Sequence, residues 1–533
     1  MQINGHDLEV ATIKDLVRSR AVLGDKPLAY VEDECLTYAA ADEGANRIAN
    51  SLAALGIGKG DVVATFMYNS VDHILVWFAC AKLGAVWAPL NVALAKQDLA
   101  YTLGDTRARA LVVDYELYPA FAEIRRQLMD QGLAEIVRRP PLGMDVTALD
   151  DLKSGSPVEP AVTVEPSDPA GLIYTGGTTG LPKGVKVSNF WYFPGVFRYQ
   201  EILETTPGDV HLGLGQMCHT IGSAVDILAP VYWQMTTVTS RWFSVSRFWD
   251  TVHKHRCTVS VMLGTLMVRL LSAPPTPDDT RNSLRRAVSV TGGFPRDAIE
   301  EFARRFDIPL LETYGQTEMG PLGCISQRMR EMPRISQGSP HGWADLMIAR
   351  PDGTTCTVGE TGEILLRPTV PGSFMLGYVN QPEKFQEACR DLWFHSGDLG
   401  YVDELGDLHF SGRMAHTIRH KGENISAIEV EEVLREHPAV ANCGVVGLAA
   451  DTGEDDIKAF VQLHEDHSLS ELELVQFCAE RLAFFKVPRY VEFVATLPLS
   501  VTKGDVERHK LHAQGRGNAW DREAAGYDPR RKS

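Results

Sequence analysis

The sequence lacks the features of several protein classes. Its nine cysteines are scattered singly and no two form a CxxC pair, so it predicts neither a zinc site nor a disulfide framework. Basic residues are in the minority, with 52 Lys and Arg against 69 Asp and Glu. The resulting formal net charge of -17 argues against a nucleic-acid partner. The most apolar stretch, residues 74–90, is interrupted by Lys82, Gly84 and Pro89 and is too short to span a bilayer.

The N-terminal residues 1–10 have neither the basic nor the apolar segment of a secretory signal, so we expect a cytoplasmic protein. What the sequence does contain is ordinary globular composition, with 44% hydrophobic and 23% charged residues. Its 533 residues correspond to about three or four domain equivalents, enough for a large buried core. This composition excludes disordered and fibrous classes.

Strands and helices alternate in the first part of the chain. The spacing of apolar residues predicts an amphipathic helix over Tyr38–Leu55, a strand over 61–68, a helix over 73–82 and a strand over 85–90. This order is typical of α/β proteins and predicts mainly parallel sheets covered by helices.

The pattern restarts after Arg413 as a smaller unit. We predict a helix at 427–436, strands at 441–446 and 457–463, and a helix at 469–482, which together form a small α+β domain. The predicted division is therefore a large N-terminal domain over residues 1–413 and a C-terminal domain over residues 414–533.

The clearest motif is a glycine- and threonine-rich loop at residues 174–186 (YTGGTTGLPKGVK), directly after an apolar strand. Its glycines allow an anion to approach backbone N–H groups, its hydroxyls can donate to phosphate oxygens, and its lysine adds a positive charge. It is not a Walker A loop, because Pro182 precedes Lys183 where that pattern needs glycine. The residues predicted to bind polyphosphate are Thr175, Gly176, Gly177, Thr178, Thr179, Gly180 and Lys183.

This loop, with further motifs in the same order, resembles the acyl-adenylating superfamily of acyl-CoA ligases, nonribosomal adenylation domains and luciferases. The resemblance covers nearly the whole chain, and within the superfamily it is strongest to acyl-CoA ligases of the crotonobetaine and carnitine type. It implies that the C-terminal domain is a mobile lid and that the cofactors are ATP, Mg²⁺ and coenzyme A.

The resemblance also implies roles in nucleotide binding. In residues 313–320 (TYGQTEMG), Tyr314 is expected to stack on adenine, and Thr317 and Glu318 to reach the α-phosphate and magnesium. By its residues alone this segment could equally be a helix cap with an exposed glutamate. The further nucleotide contacts implied are Gly292, Gly293 and Phe294 in an adenine-pocket loop, Thr313, and Asp398 and Arg413 at the ribose; Thr178 joins Glu318 at the metal.

Residues 217–223 (MCHTIGS) resemble the element whose histidine, here His219, lines the acyl pocket. Without the resemblance, a single histidine fits a packed core position as well. The bulky Phe294 stands where the family commonly has smaller residues, which favours a small or aryl acid over a long alkyl chain.

The sequence departs from the family at the catalytic lysine. The family pattern is Leu-Pro-x-x-x-x-Gly-Lys, whereas residues 497–511 read LPLSVTKGDVERHKL. Gly504 or Asp505 takes the expected position, depending on the direction of counting, and Lys503 is the nearest cation. Two outcomes are open: Lys503 takes the role through a locally altered loop, or the adenylation half-reaction is weakened. Ala415 at the hinge and Gly176 in the phosphate loop are further departures.

The leading hypothesis is ATP-dependent activation of a carboxylic acid as an acyl-adenylate, with release of pyrophosphate and transfer of the acyl group to coenzyme A. A second hypothesis keeps the adenylation but changes the acceptor, as in amide ligases or nitrite-using ATP-dependent diazotases. A third is a regulatory protein that binds ATP or AMP without turnover. Expected partners are a small carboxylic acid and coenzyme A or another small nucleophile, and a homodimer is compatible with the sequence.

Overall fold

The computed structural model describes residues 2–3, 6–94, 96–128, 132–175, 182–276, 279–290, 296–323, 325–326, 336–340, 342–414, 417–420, 423–450, 455–499 and 506–529. Its strands are β1 (Gln2–Ile3), β2 (His6–Asp7), β3 (Pro27–Val31), β4 (Glu34–Thr37), β5 (Val62–Phe66), β6 (Val86–Pro89), β7 (Ala110–Asp114), β8 (Ala134–Arg138), β9 (Thr147–Ala148), β10 (Pro169–Thr175), β11 (Lys183–Ser188), β12 (Val210–Gly213), β13 (Thr236–Thr239), β14 (Val259–Leu263), β15 (Arg286–Val290), β16 (Leu310–Tyr314), β17 (Ile325–Ser326), β18 (Ser339–Pro340), β19 (Ala344–Ala349), β20 (Gly362–Pro368), β21 (Gly377–Tyr378), β22 (Phe394–Val402), β23 (Leu408–Arg413), β24 (Thr417–His420), β25 (Glu423–Ser426), β26 (Val440–Ala449), β27 (Asp455–Leu463), β28 (Tyr490–Phe493) and β29 (Trp520–Asp521).

The α-helices within the described ranges are α1 (Ile13–Arg20), α2 (Tyr38–Ala54), α3 (Val71–Leu83), α4 (Lys96–Thr106), α5 (Tyr118–Leu128), α6 (Leu149–Leu152), α7 (Phe193–Leu203), α8 (Ala229–Tyr232), α9 (Val245–His255), α10 (Gly264–Leu271), α11 (Arg296–Phe306), α12 (Pro382–Ala388), α13 (Ala427–Arg435), α14 (Glu471–Arg481) and α15 (Arg508–His512). None of these helices has the length and apolar character needed to cross a bilayer. Together with the sheets described next, they confirm the predicted α/β class.

The chain divides into two compact units, residues 1–346 with 366–394, and residues 347–365 with 395–533. The first unit contains two large sheets. One has eight strands in the order β21-β11-β10-β6-β5-β7-β8-β9, and the other has nine in the order β18-β17-β16-β15-β14-β12-β13-β3-β4. The central strands of both sheets pair in parallel, as predicted.

Local signals in the sequence explain the first helices. Thr37 caps α2 by accepting a hydrogen bond from the backbone N–H of Ala40 at 3.2 Å, and the apolar residues spaced three and four apart on this helix are buried. Ser70 caps α3 in the same way through the N–H of His73 at 3.1 Å. The predicted helices at Tyr38–Leu55 and 73–82 are therefore confirmed to within two residues at each end.

A buried ionic cluster ties three elements of the first unit together. Asp72, at the start of α3, accepts from Arg138 Nε at 2.6 Å and lies 2.7 Å from Lys153 Nζ. Burial on its own would raise the pKa of Asp72, but the hydrogen bonds from Lys153 and Arg138 outweigh it and hold the pKa below its ordinary 3.8. The carboxylate therefore stabilises the fold in its ionised form.

The second unit contains most of a four-stranded sheet (β19-β20-β22-β23), the hairpin β24-β25, and a four-stranded sheet in the order β26-β27-β28-β29. The helices and strands predicted after Arg413 are confirmed as α13, β26, β27 and α14. The division of the chain at Arg413 stays a prediction.

The fully buried Glu431 organises the end of the second unit. Its carboxylate accepts from Arg508 Nε at 3.0 Å and Nη2 at 2.6 Å, and from the backbone N–H of Val445 at 2.8 Å. The bidentate pair joins α13 to α15, the helix that follows the predicted catalytic segment.

Candidate active site

The predicted site residues of the first unit follow the carboxyl ends of parallel strands. In the eight-stranded sheet β10 ends at Thr175, and in the nine-stranded sheet β16 ends at Tyr314, while His219 lies in the loop after β12. Open α/β sheets bind ligands outside the carboxyl ends of their strands. The topology therefore explains why these residues, which are distant in sequence, all lie after the carboxyl ends of strands.

One buried side chain joins the loops that follow strands of the two sheets. Asn69, after β5, donates from Nδ2 to the carbonyl oxygens of Gly215 at 2.9 Å and Ser240 at 3.2 Å. Its Oδ1 accepts from the N–H of Met217 at 2.9 Å. Because Gly215 and Met217 follow β12 and Ser240 follows β13, the carboxyl edges of the two sheets meet at Asn69.

The strands β10 and β11 form the base of the predicted phosphate loop. Thr175 and Lys183 are antiparallel partners, and Thr175 Oγ1 lies 3.5 Å from the carbonyl oxygen of Lys183. This pairing brings the two ends of the loop together. The other predicted loop residues lie outside the described residues: Gly176, Gly177, Thr178, Thr179 and Gly180.

Lys183, Tyr378 and Glu318 form a cluster beside this base. Because β21 pairs with β11, Lys183 Nζ lies 5.0 Å from the centre of the Tyr378 ring. The phenol donates to Oε1 of the buried Glu318 at 2.9 Å. Burial and the nearby Glu318 carboxylate raise the pKa of Tyr378, so the phenol keeps its proton and remains a donor. Sequence reasoning placed Lys183 and Glu318 in one site but missed Tyr378, which connects them.

The donor set fits a magnesium ion that is shared with a bound phosphate. In the described part of the chain, no group of three or more His, Cys, Asp or Glu side chains could hold a metal ion by itself. Glu318, in a 3₁₀ turn over Thr317–Met319, supplies one buried carboxylate. Mg²⁺ is commonly held by one or two carboxylates together with substrate phosphates, so this donor set is sufficient only when a polyphosphate is bound.

The segment around Tyr314 is folded closely on itself. Thr313 Oγ1 donates to the carbonyl oxygen of Leu322 at 2.6 Å, and Tyr314 is buried. Gly323 has φ +62°, and a Cβ there would lie 1.9 Å from the carbonyl oxygen of Tyr314. Glycine is therefore required for this fold-back, which sets the position of the intervening Glu318.

His219 lies between β12 and a π-helix over Ile221–Leu228 and is half-buried. Its backbone N–H donates to Gln216 O at 2.9 Å and its carbonyl oxygen accepts from the N–H of Ser223 at 3.1 Å. The neighbouring Cys218 is buried, and burial raises the pKa of its thiol to about 12, so this thiol is not a nucleophile at neutral pH.

Aromatic residues pack against the turn that carries Glu318. Residues 190–192 (FWY) are all buried, and Trp191 Nε1 donates to the carbonyl oxygen of Thr317 at 3.2 Å. This hydrogen bond holds the segment against the predicted Thr317–Glu318 turn.

Asp398 and Arg413 are partners in the second unit. They face each other on β22 and β23, with Arg413 Nε 3.6 Å from Asp398 Oδ1. The N–H of the buried Asp398 donates to Ser396 Oγ at 3.0 Å. A carboxylate beside a guanidinium offers both acceptors and donors to a diol such as ribose. The predicted residues Gly292, Gly293, Phe294 and Lys503 lie outside the described residues.

Two family models match the chain. The model described as AMP-binding enzyme matches residues 17–379, and that described as AMP-binding enzyme C-terminal domain matches residues 429–503. The chain is 31% identical over 472 residues to the crotonobetaine/carnitine–CoA ligase of Citrobacter koseri, a match that covers 87% of this chain and 90% of the relative. It is 30% identical over 492 residues to the ligase of the same name from Salmonella agona, covering 90% and 94%.

Solved structures of acyl-CoA ligases are similar to this fold. The anthranilate–CoA ligase AuaEII in complex with anthranoyl-AMP superimposes with a TM-score of 0.85 at 25% identity, covering 99% of this chain and all of that one. The o-succinylbenzoate–CoA synthetase of Bacillus subtilis, in complex with its acyl-adenylate, gives a TM-score of 0.81 at 27% identity, covering 93% and 98%. The predicted resemblance is confirmed by these matches.

Proposed function

Because the chain belongs to the AMP-binding enzyme family and is an ATP-dependent, adenylate-forming ligase, we propose that it activates a small or aryl carboxylic acid and transfers the acyl group to coenzyme A. The observation that carries the proposal is the Lys183–Tyr378–Glu318 cluster beside the base of the glycine-rich loop. It supplies a cation for phosphate oxygens and a buried carboxylate for a metal ion within one arrangement.

In this proposal the triphosphate of ATP lies against the loop that begins at Thr175 and ends at Lys183. Lys183 offsets the charge of the phosphates, and Tyr314 stacks on the adenine. Glu318, with Thr178, would hold Mg²⁺, which supplies charge neutralisation for the departing pyrophosphate. Asp398 and Arg413 would bind the ribose hydroxyls.

The first half-reaction is attack by the substrate carboxylate oxygen on the α-phosphorus of ATP. The bond to the bridging oxygen of pyrophosphate breaks, and an acyl-adenylate remains. Lys503 would stabilise the negative charge that develops on the α-phosphate oxygens. In the second half-reaction the thiol of coenzyme A attacks the acyl carbon, loses its proton and displaces AMP. The protein therefore needs positioning and charge but no nucleophile of its own.

Three observations support a small or aryl acid as the substrate. The buried Trp191 donates a hydrogen bond to the turn at Thr317, and the sequence has the bulky Phe294 where the family commonly has smaller residues. The similar solved ligases include those named for anthranilate and o-succinylbenzoate. The curated relatives are named for crotonobetaine and carnitine, which are small acids.

AMP release from ATP and magnesium tests the proposal. The panel contains crotonobetaine, carnitine, benzoate, anthranilate, o-succinylbenzoate and straight-chain alkanoates, each with coenzyme A, with an amine or nitrite instead, and with neither. We expect AMP and an acyl-CoA product with one of the small or aryl acids, and strict dependence on coenzyme A. AMP release that requires an amine or nitrite would show that coenzyme A is not the acceptor. Activity with long alkanoates alone would contradict the proposed substrate class.

A matched pair of lysine variants tests the site itself. Lys183 and Lys186 lie on the same strand, but Lys186 has an exposed side chain. Lys183→Ala should reduce AMP release by about a hundredfold, because a cation beside the phosphates is lost. Lys186→Ala should leave the rate unchanged. Equal losses in the two variants would contradict the assignment of Lys183.

A further inference from the structure

Three buried polar side chains form a chain of hydrogen bonds behind the loop that carries His219. Tyr199, His211 and Asp226 are each at most 1% exposed. The phenol of Tyr199 lies 2.8 Å from His211 Nδ1, and His211 Nε2 lies 2.8 Å from Asp226 Oδ1. These residues come from α7, β12 and the π-helix Ile221–Leu228, so the chain joins three elements of the first unit.

The direction of these hydrogen bonds follows from the phenol. Burial, followed by the nearby carboxylates of Asp226 and Asp209, raises the pKa of Tyr199 well above its ordinary value, so the phenol keeps its proton and can donate a hydrogen bond to His211 Nδ1. In the tautomer that carries its proton on Nε2, His211 donates to Asp226 Oδ1. Every bond in this relay therefore has one donor and one acceptor.

The relay ends on the backbone of the His219 loop. Asp226 Oδ2 accepts from the N–H of Gly215 at 2.8 Å, and the backbone of Asp226 is itself held by Thr237 Oγ1 at 2.6 Å. Gly215 opens the segment that reaches His219 four residues later. The carbonyl oxygen of the same glycine accepts from Asn69, so the segment is held from both sides.

Close packing leaves this loop little freedom to shift. A Cβ at Gly222, in the π-helix, would lie 2.1 Å from the carbonyl oxygen of Gln216. A Cβ at Gly215 would lie 3.0 Å from Asp226 Oδ2. π-Helical geometry is rare and often occurs at functional sites, and here it brings Asp226 to the loop.

We propose that Tyr199, His211 and Asp226 are positioning residues that hold the Gly215–His219 loop, and with it His219, in the geometry needed to bind the carboxylic acid. The inference rests on the proposed function, in which His219 lines the acyl pocket. The three residues act through the loop and do not contact the substrate. They determine the affinity for the acid and leave ATP binding to the cluster around Lys183 and Glu318.

The test compares two substitutions of Asp226. Asp226→Leu removes the acceptor from Gly215 and from His211. Asp226→Asn keeps an amide oxygen that can accept from Gly215, and its amide N–H can donate to His211 Nε2 when the imidazole proton moves to Nδ1. Hydrogen exchange of peptides covering residues 212–223 reports the loop without any substrate. We expect exchange to be about tenfold faster or more in Asp226→Leu and near the wild-type rate in Asp226→Asn.

The kinetic arm uses the panel acid that gives the highest kcat/KM in the wild-type enzyme. In Asp226→Leu we expect KM for this acid to rise by about tenfold, because a hydrogen bond to a charged group is lost. KM for ATP should stay within about twofold of the wild type, because its predicted ligands are untouched. Asp226→Asn should restore the acid KM. If Asp226→Leu does not fold, Tyr199→Phe, which removes one hydroxyl, replaces it in both arms.

Asp209 provides the matched control. It precedes the opposite end of β12, is buried, and accepts from the N–H of Thr206 at 2.7 Å, from Thr258 Oγ1 at 2.7 Å and from Arg285 Nη2 at 3.0 Å. Asp209→Leu should lower the overall stability, because Arg285 loses its partner, but in the folded protein it should leave both loop exchange and the ratio of the two KM values unchanged. Unchanged loop exchange in Asp226→Leu, or equal increases in KM for acid and ATP, would overturn the inference. Absence of AMP release from every acid with wild-type enzyme would instead overturn the proposed function.

Discussion

Replacing Tyr378 by phenylalanine removes one oxygen atom from the centre of the candidate ATP site. The phenol donates to Glu318 Oε1 at 2.9 Å, while the ring lies 5.0 Å from Lys183 Nζ. Phenylalanine keeps the ring against the lysine and deletes only the donor. The variant therefore tests the hydrogen bond to Glu318 while the contact between the ring and Lys183 is kept.

Two effects of this change oppose each other. A carboxylate without its donor is a more basic ligand, which favours a metal ion, but it is also released from its fixed orientation in a buried position. A hydrogen bond to a charged group contributes about 1.5–3 kcal/mol. Loss of such a partner of a metal-binding carboxylate typically costs about ten- to a hundredfold in metal affinity or activity, so orientation outweighs basicity. We expect the Mg²⁺ concentration for half-maximal AMP release to rise by about tenfold or more.

The assay is a magnesium titration of acid-dependent AMP release at saturating ATP, together with unfolding in urea. Tyr38→Phe is the control, because it also removes a buried phenol, one that donates to the carbonyl oxygen of Met235 at 2.6 Å. This control should lower stability without changing the magnesium requirement. A wild-type magnesium requirement in Tyr378→Phe would refute the reasoning and remove Tyr378 from the site.

Three further predictions concern other parts of the chain. Lys503→Ala should lower acid-dependent AMP release by about a hundredfold, whereas the exposed Lys510→Ala should not, as measured by initial rates. Glu431→Gln should destabilise the second unit by about 3 kcal/mol or more, because Arg508 loses its buried partner; hydrogen exchange of the unit in urea measures this. Asp72 has a pKa held below 3.8, so its stabilisation is present at neutral pH and is lost as the pH falls through the folded pKa. The difference in urea midpoint between wild type and Asp72→Asn should therefore narrow from about pH 6 to about pH 3.

The parts of the fold that the sequence predicts well depend on local information. The helix α2 is marked by Thr37 as its cap and by apolar residues at helical spacing, all within one segment. Four of the elements after Arg413, the helices α13 and α14 and the strands β26 and β27, were predicted for the same reason, whereas the short elements β24, β25, β28, α15 and β29 were missed. The order of strands in the two sheets was not predicted, because pairing depends on contacts between segments far apart in the chain.

The residues of the candidate site also differ in whether the sequence alone could identify them. Glu318, Lys183 and Asp398 stand in contiguous motifs, and such motifs can be found in one sequence. Tyr378 is 60 residues from Glu318, and its own strand has two residues, so no periodicity marks it. Asn69 reaches Gly215 across 146 residues. The sequence around such a polar residue does not indicate its hydrogen-bond partner in the folded protein.

The buried relay shows why a single histidine is difficult to interpret. His211 lies in a short apolar strand and by its residue type fits a packed core position. Its role depends on Tyr199 and Asp226. It also depends on the π-helix Ile221–Leu228, and the apolar sequence of that segment does not indicate whether an α-helix or a π-helix forms. The signal that could have found it is the aspartate inside an otherwise apolar helix, since a buried carboxylate requires donors.

The segment in which the sequence departs from the family's lysine pattern is flanked by residues with well-defined contacts. Leu499 and Val506 form an antiparallel bridge, and the N–H of Glu507 donates to Pro498 O at 2.8 Å. Arg508, one residue further on, is fixed to the buried Glu431. The described residues on either side of 500–505 are therefore held within the second unit. A lysine displaced by one position in the sequence is compatible with an adenylate-forming ligase, because these flanking contacts do not depend on the residue at that position.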